Sequence, residues 1–180
     1  STHEITLFPY TTLFRSLTAA SAGCGSMDTW QAIDQAERDE ARRLLVRACG
    51  SSRWAERMLA RRPFGSREAL LSAARVEWDG LSADDWREAF SHHPKIGDRE
   101  KLRQRFPGTH ELSSREQAGV DSAPDAVLDA LSEGNQRYED TFGYIFIVCA
   151  SGLSAAEMLA KLTDRLGNDP AREIQIAAGE

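Results

Sequence analysis

From Met27 onward, apolar residues recur at steps of three and four almost without interruption. The first run carries Ile33, Leu44 and Leu45 and stops at Gly50. This spacing places apolar side chains on one face of an α-helix, whereas a half-buried strand would alternate apolar and polar residues. Glycine and proline stand mostly between the runs, where they end a helix rather than interrupt it. The pattern therefore predicts an all-α fold.

Capping signals and helix breakers divide the chain into nine candidate helices, and we expect a bundle of about eight. Serine, threonine or aspartate commonly precedes the first helical turn, and glycine or proline commonly follows the last one. The predicted helices are a first over Asp28–Gly50, a second over Ser51–Pro63, a third over Ser66–Gly80, a fourth from Ser82, short ones near Arg99–Arg105 and from Ser113, a long one over Pro124–Gly143, another over Ser154–Gly167 and a last from Asp169. We expect a single-domain helical bundle.

One continuous apolar run, Tyr144–Ala150, departs from the helical spacing. By composition it could form a buried strand, as short apolar runs do. A strand needs a partner to satisfy its backbone groups, and the sequence offers no second strand. We interpret the run as a buried helix or an extended core segment.

The composition excludes several classes of protein. The chain has 180 residues, of which 41% are hydrophobic, which suits a packed core and not a disordered chain. Its formal net charge of −6 is opposite to the basic surface that nucleic-acid binding requires. No unbroken apolar stretch reaches the roughly 20 residues that span a bilayer. We expect neither a nucleic-acid nor a membrane partner.

Cysteine usage indicates the compartment. The three cysteines, Cys24, Cys49 and Cys149, cannot all pair with one another and show no CxxC spacing. Both a disulfide scaffold and a zinc ribbon are therefore disfavoured. Unpaired thiols fit a reducing environment, so we expect a cytoplasmic protein.

The first 26 residues differ in composition from the rest. They contain two charged residues, Glu4 and Arg15, and end in a run of small residues. They lack the basic start and the unbroken apolar stretch of a secretory signal. We expect residues 1–26 to be a disordered leader or a non-native extension, and residues 27–180 to form the helical domain.

Two neighbouring histidines, His92 and His93, stand at the end of a predicted helix, ahead of Pro94 and Gly97. Proline disfavours the helical conformation in the residue before it, so His93 leaves the helix and can present its ring to a pocket. A plainer interpretation is a histidine that interacts with the helix dipole. A metal site of His92, His93 and Asp98 is disfavoured, because adjacent helical residues point about 100° apart.

The segment Ser113–Gln117 contains the S-x-x-E pattern of a capping box. The same residues at a helix start could also hold an anionic, amide-rich ligand. Arg165, near a predicted helix end, reads by composition as a solvated cation, and Cys149 as a buried thiol rather than a nucleophile. From the residues alone, capping and packing interpretations stand beside functional ones.

Taken together, six segments resemble, in their order, the family of 2-oxo-4-hydroxy-4-carboxy-5-ureidoimidazoline (OHCU) decarboxylases. The segments are Arg62–Phe64, His92–Asp98, Ser113–Gln117, Asn135–Tyr138, Phe142–Ala150 and Arg165–Asp169. The resemblance covers roughly residues 28–180. It implies an all-α, single-domain fold and the decarboxylation of OHCU to (S)-allantoin and CO2 in urate catabolism.

The resemblance also implies roles for individual residues. His93 is the implied catalytic proton donor, and Glu116 and Arg165 are implied as further catalytic residues. The implied substrate-binding residues are Pro94, Ser113, Ser114, Arg115, Glu116, Gln117, Phe146, Ile147, Val148, Cys149 and Ala150. No metal and no cofactor are implied, because the substrate itself can hold the electrons that the departing CO2 leaves behind.

The resemblance has consequences for partners and for the chain's end. A hydroxyisourate hydrolase acting one step earlier is the implied supplier of the substrate. Whether the chain forms a homodimer is not decided by the sequence. Family members usually continue past the equivalent of Glu180, so we expect this chain to be truncated there. The 26 leading residues have no counterpart in the family pattern.

Two other functions stay open on the sequence. One is a non-catalytic module that binds a small ligand or a partner on the same helical scaffold. The presence of both His93 and Glu116 disfavours it. The other is a metal-dependent hydrolase that uses His92, His93 and Asp98, which a metal analysis of the purified protein would decide.

Overall fold

The computed structural model describes residues 29–93, 123–149 and 152–180. In these ranges the structure contains eight α-helices and no β-strand, which confirms the all-α prediction. The helices are α1 Thr29–Gln35, α2 Arg38–Cys49, α3 Ser52–Ala60, α4 Arg67–Asp79, α5 Ala83–Ser91, α6 Ala123–Phe142, α7 Ala155–Arg165 and α8 Pro170–Gly179. None of these helices is both long enough and apolar enough for a bilayer crossing. The short helices predicted near Arg99–Arg105 and from Ser113 lie outside the described residues.

Serine side chains begin four of these helices, as the sequence predicts. They are Ser51 before α3, Ser66 before α4, Ser82 before α5 and Ser154 before α7. At α7 the Ser154 hydroxyl accepts a hydrogen bond from the Glu157 amide (3.3 Å), and the Glu157 carboxylate accepts one from the Ser154 amide (2.8 Å). Such bonds satisfy amides that the first helical turn leaves without partners. Local sequence therefore sets these helix starts.

One helix prediction is wrong: the expected helix over Asp28–Gly50 is two helices, α1 and α2, which break at Ala36 and Glu37. The Arg62 guanidinium donates from Nη2 to the carbonyl oxygens of Asp34 (2.7 Å) and Ala36 (2.5 Å). In a continuous helix these carbonyls would accept from amides four residues later. The break is therefore fixed by a side chain that is distant in the sequence, which local spacing does not reveal.

The described residues fall into two compact units, and the first comprises residues 29–93 and 178–180. Trp54 and Trp78 are its largest fully buried side chains. The Trp54 indole donates to the Ala74 carbonyl (3.0 Å), and the rings of Trp78 and Trp86 lie 6.4 Å apart. Large aromatic side chains contribute strongly to stability when buried, provided that their polar atoms find partners.

The second unit comprises residues 123–149 and 152–177. Helices α6 and α7 approach closely at Gly134, where a Cβ atom would lie 2.6 Å from Leu162 Cδ2. Tyr138 of α6 is fully buried, and its ring meets those of Tyr144 and Phe146 edge-on, with centroids 5.8 and 5.1 Å away. This aromatic cluster holds the segment that follows α6 against the helix.

Residues 144–149 follow α6 without regular secondary structure. Tyr144 and Phe146 are buried, whereas Ile145 and Ile147 are partly exposed. Alternating burial is typical of an extended chain. Of the two forms expected for this run, the structure therefore has the non-helical one.

Two glycines with positive φ, Gly50 and Gly65, differ in how closely other atoms pack against them. The φ angles of Gly50 and Gly65 are +83° and +74°, a region that costs a residue with a Cβ atom about 1–2 kcal/mol. A Cβ atom at Gly50 would also lie 2.9 Å from His92 Cβ, whereas one at Gly65 would meet no atom within 4 Å. We predict that Gly65→Ala lowers the free energy of unfolding by about 1–2 kcal/mol, and Gly50→Ala by about 1–3 kcal/mol more.

Urea unfolding of the two variants and the wild type measures this difference. Gly65→Ala serves as the control, because it carries the backbone strain without the close contact. Equal losses of stability in both variants would contradict the packing of His92 against Gly50.

Candidate active site

His93 lies just beyond α5, which ends at Ser91. Its amide donates to the Phe90 carbonyl (3.0 Å), which anchors the residue to the last helical turn. The side chain is half-buried, and burial lowers the pKa of its imidazole below the ordinary value of 6.5. The predicted exit of His93 from the helix is confirmed. Pro94, which predicts that exit, lies outside the described residues.

His92 has different surroundings. It is exposed and contributes to an open groove of about 740 Å³ beside α2. Arg42, Arg43 and Arg47 line the same groove, and His93 does not. The two neighbouring histidines therefore lie in different surroundings, as expected for consecutive side chains at a helix end.

Arg165 ends α7, and only 5% of the residue is exposed. Its Nε and Nη2 atoms lie 2.7 and 2.6 Å from Glu173 Oε1. Its Nη1 atom donates to the Ile147 carbonyl oxygen (2.8 Å), and its Cζ atom lies 4.7 Å from the centroid of the Phe146 ring. The interpretation of Arg165 as a solvated cation is wrong, because its guanidinium is built into the second unit.

A buried carboxylate holds this arginine in place. Glu173 of α8 has no exposed surface. Its carboxylate also accepts hydrogen bonds from the Tyr138 hydroxyl and from Asn168 Nδ2, the latter at 2.6 Å. Burial and the bond to Glu173 raise the pKa of the Tyr138 phenol above its usual range, so the phenol stays protonated and donates.

No sequence prediction gives Glu173 or Asn168 a role, although a signal for Glu173 exists. Glu173 lies four residues before Ala177 on α8, and both are buried. Residues four apart share one helix face, so this carboxylate stands on the apolar face of its helix. A carboxylate in that position needs a cationic or hydrogen-bonding partner within the fold.

The structure brings together three of the predicted site residues, since Arg165 contacts both Phe146 and Ile147. Val148 and Cys149 follow in the same segment and are partly exposed, and His93 lies in the first unit. The predicted site residues outside the described ranges are Pro94, Ser113, Ser114, Arg115, Glu116, Gln117 and Ala150. The functional roles of all these residues stay predictions.

The described part of the chain shows no grouping of three or more His, Cys, Asp or Glu side chains suited to hold a metal ion. Asp98, the third ligand of the metal alternative, lies outside it. Cys49 is a free, buried cysteine, and Cys149 is partly exposed. Burial raises the pKa of the Cys49 thiol to about 12, so this group is not a nucleophilic thiolate at neutral pH.

Comparison with known proteins assigns the family. The sequence pattern of the OHCU decarboxylases matches residues 34–180 of this chain. The chain belongs to that family. A solved structure of an OHCU decarboxylase, determined in the presence of (S)-allantoin, is 37% identical to it, with a TM-score of 0.54. The match covers 76% of this chain and 87% of the solved one, which agrees with the all-α fold.

Three proteins similar to this OHCU decarboxylase family member are named for uric acid degradation or for OHCU decarboxylation. A uric acid degradation bifunctional protein of Arabidopsis thaliana is 37% identical over 132 residues, which are 73% of this chain and 41% of the plant protein. The OHCU decarboxylase of Amia calva is 28% identical over 66% of this chain and 67% of its own length. That of Halalkalicoccus jeotgali is 27% identical over 84% of both chains. The chain thus spans less than half of the plant protein and most of the other two.

The buried ion pair predicts a large effect on stability. In Arg165→Met, the fully buried Glu173 side chain loses its cationic partner, and removal of one partner of a buried pair costs about 3–5 kcal/mol. The control is Arg43→Met, which removes the exposed ion pair of Arg43 with Glu40 (2.5 Å) and should cost less than about 1 kcal/mol. Urea unfolding measures both changes, and a similar small loss in the two variants would contradict the importance of the buried pair.

The lowered pKa of His93 predicts how stability depends on pH. Because the pKa in the folded state lies below 6.5, unfolding takes up a proton in the range between the folded pKa and 6.5. The folded state therefore loses stability as the pH falls below about 6.5 and through that range. The stability of the wild type relative to His93→Asn should decrease from about pH 7.5 to about pH 5.5, as urea unfolding at each pH can show. A pH-independent difference would contradict the burial of the ring.

Proposed function

We propose that this protein is a carboxy-lyase that converts OHCU to (S)-allantoin and CO2 in urate breakdown. The observation that carries the proposal is the family match over residues 34–180, which takes in the elements that hold His93 and Arg165. The relatives named for this reaction, and the one named for uric acid degradation, support the same pathway.

The reaction breaks one carbon–carbon bond and makes one carbon–hydrogen bond. The carboxylate leaves as CO2, and its bonding electron pair stays on the ring carbon, where it delocalises into the imidazoline system. The protein then has to orient the carboxylate, stabilise charge as it moves into the ring, and deliver one proton to one face. These tasks need no cofactor.

His93 is the proton donor in this proposal. Its position just beyond α5 keeps the ring near the rigid end of a helix, and burial lowers the pKa of the imidazole. A lowered pKa makes the protonated ring a stronger acid, so it gives its proton more readily to the carbanion, although less of it is protonated at neutral pH.

The segment that follows α6 forms one wall of the proposed site. Phe146 supplies an apolar surface, which favours the conversion of a carboxylate into neutral CO2. The backbone of Ile147–Ala150 binds the amide and carbonyl groups of the ureide, and Arg165 supplies positive charge beside it. Glu116 and Gln117 bind the ureido group in this proposal, and Pro94 and Ser113–Arg115 are further proposed substrate-binding residues.

The cellular setting belongs to the same proposal. The protein works in the cytoplasm, on OHCU that a hydroxyisourate hydrolase supplies one step earlier. The free, buried thiol of Cys49 supports a reducing compartment. The assembly to test is a homodimer, which sedimentation velocity distinguishes from a monomer by its mass.

The direct test generates OHCU from urate in the presence of the purified protein and follows circular dichroism. Uncatalysed loss of CO2 leaves a planar carbanion that is protonated from both faces, whereas an enzyme that guides the proton produces one enantiomer. Accelerated formation of optically active allantoin supports the proposal. A rate equal to the spontaneous one would reject it and favour a non-catalytic binding module.

The two histidines provide a matched pair of variants. His93→Asn should lower kcat by about 10²–10⁴, the usual contribution of a positioned general acid. His92→Asn should change kcat little, because this exposed side chain lies in the groove beside α2. Thermal melts establish that both variants are folded before their rates are compared. Equal losses in folded variants would mean that His93 is not the proton donor.

A further inference from the structure

The Glu173 carboxylate is the most enclosed charge in the second unit. It is fully buried, and its neighbours all donate to it: two nitrogens of Arg165, the Tyr138 hydroxyl and the Asn168 amide. Here the ion pair leaves the third guanidinium nitrogen, Nη1, directed at a specific backbone atom.

That atom is the carbonyl oxygen of Ile147, 2.8 Å from Arg165 Nη1. The same guanidinium lies over the Phe146 ring, with 4.7 Å between Cζ and the ring centroid. Arg165 thus contacts two consecutive residues of a segment that has no helix or strand to fix its backbone. The orientation of the peptide group between Ile147 and Val148 depends on this contact.

The geometry of that peptide gives the consequence. Among the described residues only the Arg62–Pro63 bond is cis, so the bond between Ile147 and Val148 is trans. In a trans peptide the carbonyl and the N–H point in opposite directions. With the Ile147 carbonyl held on Arg165, the Val148 N–H points away from the guanidinium. It makes no hydrogen bond to another described residue, and Val148 is partly exposed.

We propose that Glu173 is a positioning residue of this enzyme: through Arg165 it fixes the Ile147 carbonyl and so directs the Val148 N–H at a carbonyl oxygen of the bound ureide. The proposal rests on the proposed decarboxylase function and adds Glu173 to its site. Tyr138 supports the same arrangement, because its hydroxyl accepts from Arg165 Nη2 (3.3 Å) and donates to Glu173.

The role predicts a specific kinetic signature. A backbone donor that binds a part of the ureide remote from the breaking bond holds substrate and transition state alike, so its loss raises KM. Because Arg165 is itself a proposed catalytic residue, a loss of kcat smaller than that of His93→Asn accompanies the rise in KM. Glu173→Gln keeps the shape of the side chain and removes the charge that holds Arg165. We expect an increase in KM of about tenfold, the worth of one hydrogen bond, against the loss of kcat expected for His93→Asn.

The control is Glu133→Gln, which makes the same chemical change on the exposed surface of α6 and should leave both constants unchanged. Turnover of OHCU generated from urate provides KM and kcat for the wild-type chain of residues 1–180 and the folded variants. In parallel, (S)-allantoin is titrated into the same ¹⁵N-labelled chain, and the Val148 amide resonance is followed. We expect this resonance to shift in the wild type and in Glu133→Gln, and to shift less in Glu173→Gln.

The outcomes separate this proposal from the one it rests on. A wild type without turnover rejects the decarboxylase function and the role of Glu173 together. A wild type that turns over OHCU while folded Glu173→Gln keeps its KM rejects the positioning role alone. If Glu173→Gln fails to fold, Tyr138→Phe replaces it with the same expected rise in KM. If the wild type is active but the Val148 amide resonance does not shift when (S)-allantoin is added, the proposal is also overturned.

Discussion

The second unit depends on one buried ion pair, that of Arg165 with Glu173. Removing two charges from water is costly, and their attraction repays that cost only when further hydrogen bonds satisfy the remaining donors and acceptors. Here Tyr138 and Asn168 supply donors to the carboxylate, and the Ile147 carbonyl accepts from the guanidinium. The pair therefore joins α6, α7 and α8 to the segment after α6, and it does so through directional bonds rather than through apolar contact alone.

Much of the helical architecture could be predicted because its signals are local. Ser82 and Ser154 stand three residues before acidic partners, and both form the expected capping boxes. The break between α1 and α2 could not be predicted in this way. It depends on Arg62, whose guanidinium reaches carbonyls 26 and 28 residues earlier in the chain. The spacing of apolar residues predicts an uninterrupted helix, because it contains no information about a distant side chain that binds the backbone carbonyl groups.

The site shows the same division between local and distant information. Pro94 acts on the residue next to it, so the exit of His93 from the helix follows from the sequence. The family resemblance singles out Arg165 but not its surroundings. Its partner Glu173 lies on the next helix, and Tyr138 lies on an earlier one. The composition of the Arg165 segment suggests a solvated side chain, and only the packing of three helices shows a buried one.

The placement of the aromatic residues gives the two units separate spectroscopic labels. All four tryptophans of the chain lie between residues 30 and 86, in the first unit, whereas Tyr138 and Tyr144 lie in the second. Tryptophan emission therefore reports on one unit, and tyrosine bands in near-ultraviolet circular dichroism report in part on the other. Coincident transitions by different probes are a criterion of two-state unfolding. These tryptophan and tyrosine residues can therefore show whether the two units unfold together, without an added label.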